Sequence, residues 1–310
     1  VRTACLNYDA EKFFTKWLAD LASDQHDDGY VGHVIPDLLQ NPHASSAWGD
    51  AAAICPWQVY LAFGNKQILK NQYQSMKKWI DYITSTTTTK YLWTGGTHYG
   101  DWLDAPSGSY KGSSNEDFIA SAFYAYSTSL VIQAGTVLRE DVSELSTLYE
   151  NIVNTFQKTW PTYNTQTECV LAAHFKLAKD CQATADQLAD MVRACGTKLQ
   201  TGFVGTPYLL HVLSDYGHTD LAWDLLLRTK YPSWLYPVTK GATTIWEHWD
   251  GIMEDGSFWS KDMNSYNHYA YGSVADWVYG VAAGILPRKD APGYANVTIA
   301  PHPDKRLDWL

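Results

Sequence analysis

The chain has 310 residues, 45% of them hydrophobic, and a formal net charge of −10, with a pI near 5.4. That is enough apolar material for one large core or two, and it excludes an extended disordered chain. No run of Lys or Arg makes a basic patch, which excludes nucleic acid as an expected partner, and no apolar run is long enough to span a membrane.

Helical periodicity dominates from the start. A short helix is expected over Val1–Tyr8, and a second over Ala10–Ser23, capped by Asp9, with Phe13, Phe14, Trp17, Leu18 and Leu21 on one face. A third covers Trp48–Phe63, with Pro56 kinking it or marking its start, and a fourth Lys66–Ile83. The fifth is Asn115–Leu138, the sixth Val142–Trp160, the seventh Thr165–Leu177 and the eighth Thr184–Gly196. Pro207–Asp215 and Thr219–Arg228 form a pair about Gly217, and an eleventh helix covers Tyr269–Gly284. After Pro287 the texture changes, and Tyr294–Ala300 alternates like a strand. The expected division is therefore 1–287, helical, and 288–310, a linker and the first strand of a β domain.

Connection lengths add a topological clue. The turns from odd to even helices are short, whereas Asp24–Ala47, Tyr91–Ser114 and Lys230–His268 are long. If successive helices run antiparallel, the three long loops emerge at one end, the usual place for a site on a helical scaffold. Helices in hairpins point to an all-α (α/α) toroid, with a helical solenoid as the alternative. The chain opens on Val1, without an initiator Met and within a helical pattern, so a piece of a longer protein is expected. Compartment and oligomeric state are not legible.

The chemistry centres on Thr243–Asp250, TTIWEHWD, and on Ser265–Trp277, SYNHYAYGSVADW. Glu247 stands between Trp246 and Trp249, with His268 downstream. Aromatic rings stack on the apolar faces of a pyranose, and a carboxylate among them can move a proton or hold a developing oxocarbenium ion. Asp101 and Asp104 flank Trp102 in GDWLD, with a spacing suited to sugar hydroxyls or to a turn and a cap. Trp48-Gly49-Asp50 is similar, with Asp50 placed to cap the third helix. The five cysteines are widely spaced, without CxxC or a zinc-like Cys/His cluster, so free buried thiols are expected. Asp27, Asp28 and His33 read as a solvated loop rather than a metal site, and no metal or cofactor is called for. GxSxG, GxxxxGK[ST] and GxGxxG motifs are all absent.

The order of segments resembles the (α/α)6-barrel catalytic domain of the α-L-rhamnosidases of glycoside hydrolase family 78. It runs from VRTACLNYDAEKFFTKWLADL through DGYVGHVIPD, AWGDAAAICPWQVYLAFGN, YGDWLD and QTECVLAAHFKLA. The long stretch TGFVGTPYLLHVLSDYGHTDLAWDLLLRTKYPSWLYPVTKGATTIWEHWDG is its most specific part, followed by SYNHYAYGSVADWVYGVAAGI and PGYANVTIAP, where the family enters a β-sandwich. The resemblance implies inverting hydrolysis of terminal α-L-rhamnosides, with a rhamnose-containing glycoside as partner. It puts the general base on Glu247 and rhamnose contacts on Trp48, Trp102 and His268; Asp101 and Trp246 are added from their proximity in sequence. The family's general acid lies in a DERxGWxGD-like motif, which these residues lack, so the acid is expected upstream of Val1. The alternatives are a non-catalytic carbohydrate-binding helical domain and another toroid glycosidase or lyase. A lyase is disfavoured because the long loops are poor in Arg.

Overall fold

The computed structural model describes residues 1–105, 109–263, 265–288 and 290–308. The chain forms two compact units. One comprises Val1–Gly100, Asn115–Thr162 and Leu286–Ile299; the other comprises Asp101–Ser114, Tyr163–Ile285 and Ala300–Leu310. The Tyr91–Ser114 loop is thus divided between them.

The first unit contains α1 (Arg2–Asn7), α2 (Glu11–Asp24), α3 (Ala51–Phe63), α4 (Lys66–Thr86), α5 (Glu116–Leu138) and α6 (Ser143–Thr159). Leu18, Cys55, Val59 and Ile68 form a buried cluster joining α2, α3 and α4. α5 is apolar on all sides and buried along most of its length, as expected of a helix surrounded by others. The α3–α4 turn is made by Gly64 at φ 72°, followed by Asn65, whose side chain accepts from the Gln67 N–H. Asn115 caps α5 through the Phe118 N–H at 2.9 Å. Two local expectations fail here. Asp9 makes no cap, because α2 begins after Ala10 without a side-chain cap, and Phe13 is 67% exposed rather than on the buried face.

The second unit contains α7 (Gln166–His174), α8 (Cys181–Ala194), α9 (Thr206–Asp215), α10 (Thr219–Leu226) and α11 (Leu235–Thr239). Thr165 caps α7 through the Glu168 N–H, and Asp180 caps α8 through the Ala183 N–H. The expected helix over Tyr269–Gly284 is composite: a 3-10 turn at Ala270–Ser273, α12 at Val274–Trp277 and a π turn at Val278–Ala282. Its buried Trp277 donates to the Ser214 hydroxyl at 2.9 Å, which ties it to α9. Beyond it, β1 (Ile285–Pro287) and β2 (Val297–Ile299) form a two-stranded sheet. The periodic pattern predicted β2 but neither β1 nor the short α11. The five cysteines are free, two buried and three half-buried. Among the described residues no helix is long and apolar enough to cross a membrane.

Candidate active site

The Lys230–His268 loop is pinned to itself by its backbone. The Glu247 N–H donates to the Ser265 carbonyl at 2.9 Å, and the His268 N–H to the Ile245 carbonyl at 2.8 Å. The Thr244 hydroxyl donates to the Tyr266 carbonyl. Ile245–Glu247 therefore lies alongside Ser265–His268, with both Glu247 and His268 half-buried. The flanking rings act as anchors. Trp249 is 2% exposed and stacks on Tyr271 at 3.8 Å, with Trp234 edge-on at 5.4 Å. Trp246 is also buried, against Tyr266 at 5.2 Å.

The GDWLD segment is held by a different device. The Asp101 side chain is fully buried. It accepts N–H bonds from Gly202 at 2.8 Å, Val204 at 2.9 Å and Gly205 at 3.1 Å, and a hydroxyl bond from Thr167. Both its oxygens are engaged inside the protein, so the expectation that Asp101 contacts a sugar is corrected: it anchors the loop. Its burial pushes the carboxyl up to about 6, against the opposing pull of those four donors. Asp104 is similarly occupied by the Ser113 N–H at 2.7 Å and hydroxyl at 2.6 Å.

Trp102 rides on this anchor. Its carbonyl accepts from the Phe203 N–H at 2.9 Å, and the neighbouring Leu103 carbonyl accepts from the Tyr271 hydroxyl at 2.9 Å. A Cβ on Gly202 would lie 2.4 Å from the carbonyl oxygens of Asp101 and Trp102, so only glycine lets the two backbones meet. The Phe203 ring lies 5.4 Å from His268 and 5.3 Å from Tyr271. Trp102, Phe203, Tyr271, His268 and Glu247 are thereby joined by contacts and backbone bonds within the second unit.

The electrostatics suit a neutral, hydroxylated ligand. Tyr271 is pushed well above the ordinary phenol value, first by burial and then by Asp101, Asp104 and Glu247. Tyr231 is pushed up to about 12 by burial, with Asp250 and Asp104 adding to it. Such a gathering of acids disfavours a uronate or a phosphate. A cavity of about 280 Å³ flanks the Glu247 segment, lined by Trp234, Trp246, His248, Trp249, Tyr271 and residues 237–238 and 242–245. Among the described residues no group of three or more His, Cys, Asp or Glu is arranged to hold a metal ion.

In the first unit, the Trp48-Gly49-Asp50 expectation divides. Asp50 stands at the N-cap position of α3, but its side chain makes no cap bond. It is fully buried and accepts from the Trp79 indole at 2.9 Å, the Ser127 hydroxyl at 2.6 Å and the Ala47 N–H at 2.7 Å. A Cβ on Gly49 would fall 2.4 Å from the Trp79 ring. Both residues serve packing, and Trp48 is left half-buried beside Tyr99 at 4.7 Å. Tyr99 in turn bonds His33 Nδ1 at 2.9 Å, and the Ser46 N–H donates to His98 at 3.1 Å. In each unit, taken by itself, long loops meet: Asp24–Ala47 with residues 91–100 in the first, and residues 101–114 with Lys230–His268 in the second.

Comparison with known proteins follows the same outline. Residues 1–282 match the bacterial alpha-L-rhamnosidase 6 hairpin glycosidase domain. The chain belongs to that family. It is 38% identical over 97% of its length to an alpha-L-rhamnosidase of Streptomyces avermitilis, of which it spans 29%. It is 35% identical over 98% of its length to one from Formosa agariphila, of which it spans 34%. The structure of the Streptomyces enzyme complexed with L-rhamnose superposes with a TM-score of 0.90 over 97% of this chain and 29% of that one. The alpha-L-rhamnosidase of Aspergillus terreus gives 0.91 at 35% identity, over 97% of this chain and 37% of that one. The fold class is accordingly the six-hairpin α/α toroid of these rhamnosidases, and the chain spans about three-tenths of the length of the curated relatives it matches.

Phe203, Tyr271 and Gly202 were not singled out from the sequence. Their signal was present as the glycine pair in TGFVG and as a tyrosine three residues after His268. It is not a periodic signal and has meaning only once the loops are folded together.

Proposed function

We propose that this chain is the greater part of the catalytic helical domain of an α-L-rhamnosidase, with residues 1–287 forming that domain and 288–310 opening a β domain. It inverts the anomeric centre, and Glu247 is the general base that takes a proton from the attacking water. Trp102, Trp246 and His268 contact the rhamnosyl ring, while Asp101 positions Trp102 from beneath. The observation that carries this reading is the pairing of Ile245–Glu247 with Ser265–His268. It lays the segment of Glu247 alongside the segment of His268, both residues half-buried, in a chain whose relatives are named rhamnosidases.

Inversion needs a second carboxyl on the opposite face of the sugar, roughly 6.5–9.5 Å from the base, to protonate the leaving oxygen. Asp101 and Asp104 are engaged internally. The reading therefore takes the acid from outside these 310 residues. The test is proton NMR of the full-length protein hydrolysing an aryl α-L-rhamnoside. β-L-rhamnose as the first product supports the proposal; α-L-rhamnose as the first product, or no hydrolysis, contradicts it.

A further inference from the structure

The backbone anchor beneath Trp102 leaves its indole still to be oriented, and a series of packed rings in the same unit does that. It starts from a hairpin. Gly251 turns back on His248, its N–H donating to the His248 carbonyl at 3.2 Å. Ile252 and Phe258 then pair as an antiparallel bridge. The tip is closed by Gly256 at φ 86° and by Asp255, which accepts from the Ser257 N–H and hydroxyl. The Trp259 N–H donates to the Gly251 carbonyl at 3.1 Å, so the hairpin returns Trp259 to the start of the turn. There its ring lies face to face with His248, with centroids 3.7 Å apart and planes 16° apart. His248 is a firm base for that contact, being buried, with its Nδ1 2.5 Å from an Asp250 carboxylate oxygen.

The series continues into the loop that carries Trp102. The Leu103 N–H donates to the Tyr110 carbonyl at 2.8 Å, which folds Tyr110 back toward the GDWLD segment. The Tyr110 ring stacks on Trp102 at 5.4 Å and 22°, and it meets Trp259 edge-on at 5.8 Å. Tyr110 is 47% exposed. Holding so exposed a side chain in one rotamer costs conformational entropy. Trp259 offsets that cost with a second contact, in the edge-to-face geometry that aromatic pairs favour.

We infer that Trp259 is a positioning residue of the sugar site: seated on His248, it holds Tyr110, and Tyr110 fixes the orientation in which Trp102 meets the rhamnosyl ring. The inference rests on the reading above that Trp102 contacts the sugar. In this role Trp259 acts through two rings rather than on the substrate. His248 follows Glu247 in the chain, so the segment of the base and the loop of Trp102 are set by one packed series.

The experiment measures L-rhamnose affinity by calorimetry and the kinetics of p-nitrophenyl α-L-rhamnoside hydrolysis on the full-length protein. For Trp259→Ala, the rhamnose dissociation constant and KM both rise about threefold to tenfold, the range set by one lost aromatic contact, while kcat stays within about twofold. Tyr110→Leu, a change at an exposed side chain, has the same effect, and Trp259→Phe, which keeps an edge to offer Tyr110, restores affinity. The decisive arm is a double-mutant cycle. In a Trp102→Ala background, Trp259→Ala and Tyr110→Leu add no further loss, because the ring they position is gone. Unchanged affinity in both single variants, a loss confined to kcat, or losses that persist in full without Trp102 would each overturn the inference. If Trp102→Ala alone leaves rhamnose affinity unchanged, the reading of Trp102 as a sugar contact has failed, and the inference with it. That failure is distinguishable from the others because it shows in Trp102→Ala itself.

Discussion

At the scale of single residues, the acids of this chain divide by what they already hold. Asp101 and Asp50 are fully buried and satisfied by internal donors, whereas Glu247 is half-buried on a segment whose Trp246 and Trp249 are buried. Asp101 carries a pH signature. Its folded-state value, about 6 against an ordinary 3.8, is raised, so its stabilising contribution is fully present below about pH 4 and is lost as pH rises through 6. Urea unfolding of the protein and of Asp101→Asn between pH 4 and pH 7 should show the wild-type advantage shrinking as pH rises, by up to about 3 kcal/mol. A constant or widening gap would contradict this account of its burial. The sequence marked Asp101 as a candidate because it stands beside Trp102. It could not show that the Gly202–Gly205 backbone and Thr167 close around it, since that contact is made between segments far apart in the chain.

At the scale of elements, α4 and α8 were legible because their burial follows the 3.6-residue period, whereas the caps at Asn65, Asn115, Thr165 and Asp180 show only in the structure. Asn115→Ala should lower stability by about 1 kcal/mol, read as a fall in the midpoint of thermal unfolding. The stretch Ala270–Ala282 was legible as helical but not as 3-10, α and π in turn. Side-chain period does not report which backbone ladder is made, and here that is set by packing around Tyr271 and Trp277. The α11 segment Leu235–Thr239 is too short to show a period at all. The close approach of the Gly202 backbone to the Trp102 loop was equally hidden. Gly202→Ala should force those backbones apart and displace Trp102, weakening L-rhamnose binding at least tenfold by calorimetry. Unchanged binding would mean that Trp102 does not touch the sugar.

At the scale of the whole molecule, the family and its six-hairpin fold were readable from the long TGFVG…WEHWDG segment, while the partition of long loops between two compact units was not. A chemical consequence follows from the acids present. The 310-residue chain by itself should bind L-rhamnose weakly but leave a natural disaccharide rhamnoside uncleaved, with at most a trace rate on an aryl rhamnoside, whose leaving group needs little protonation. Full activity of that chain on the disaccharide would place the acid within it, with Asp104 or Asp101 as the candidates. The most direct test of the central claim, that Glu247 is the general base, is the turnover of Glu247→Gln in the full-length protein beside its affinity for L-rhamnose. The amide is nearly isosteric but cannot take a proton from water, so kcat should fall by about 10²–10⁴ while the rhamnose dissociation constant stays within about threefold. A variant keeping more than about a tenth of the wild-type kcat would show that the proton goes elsewhere.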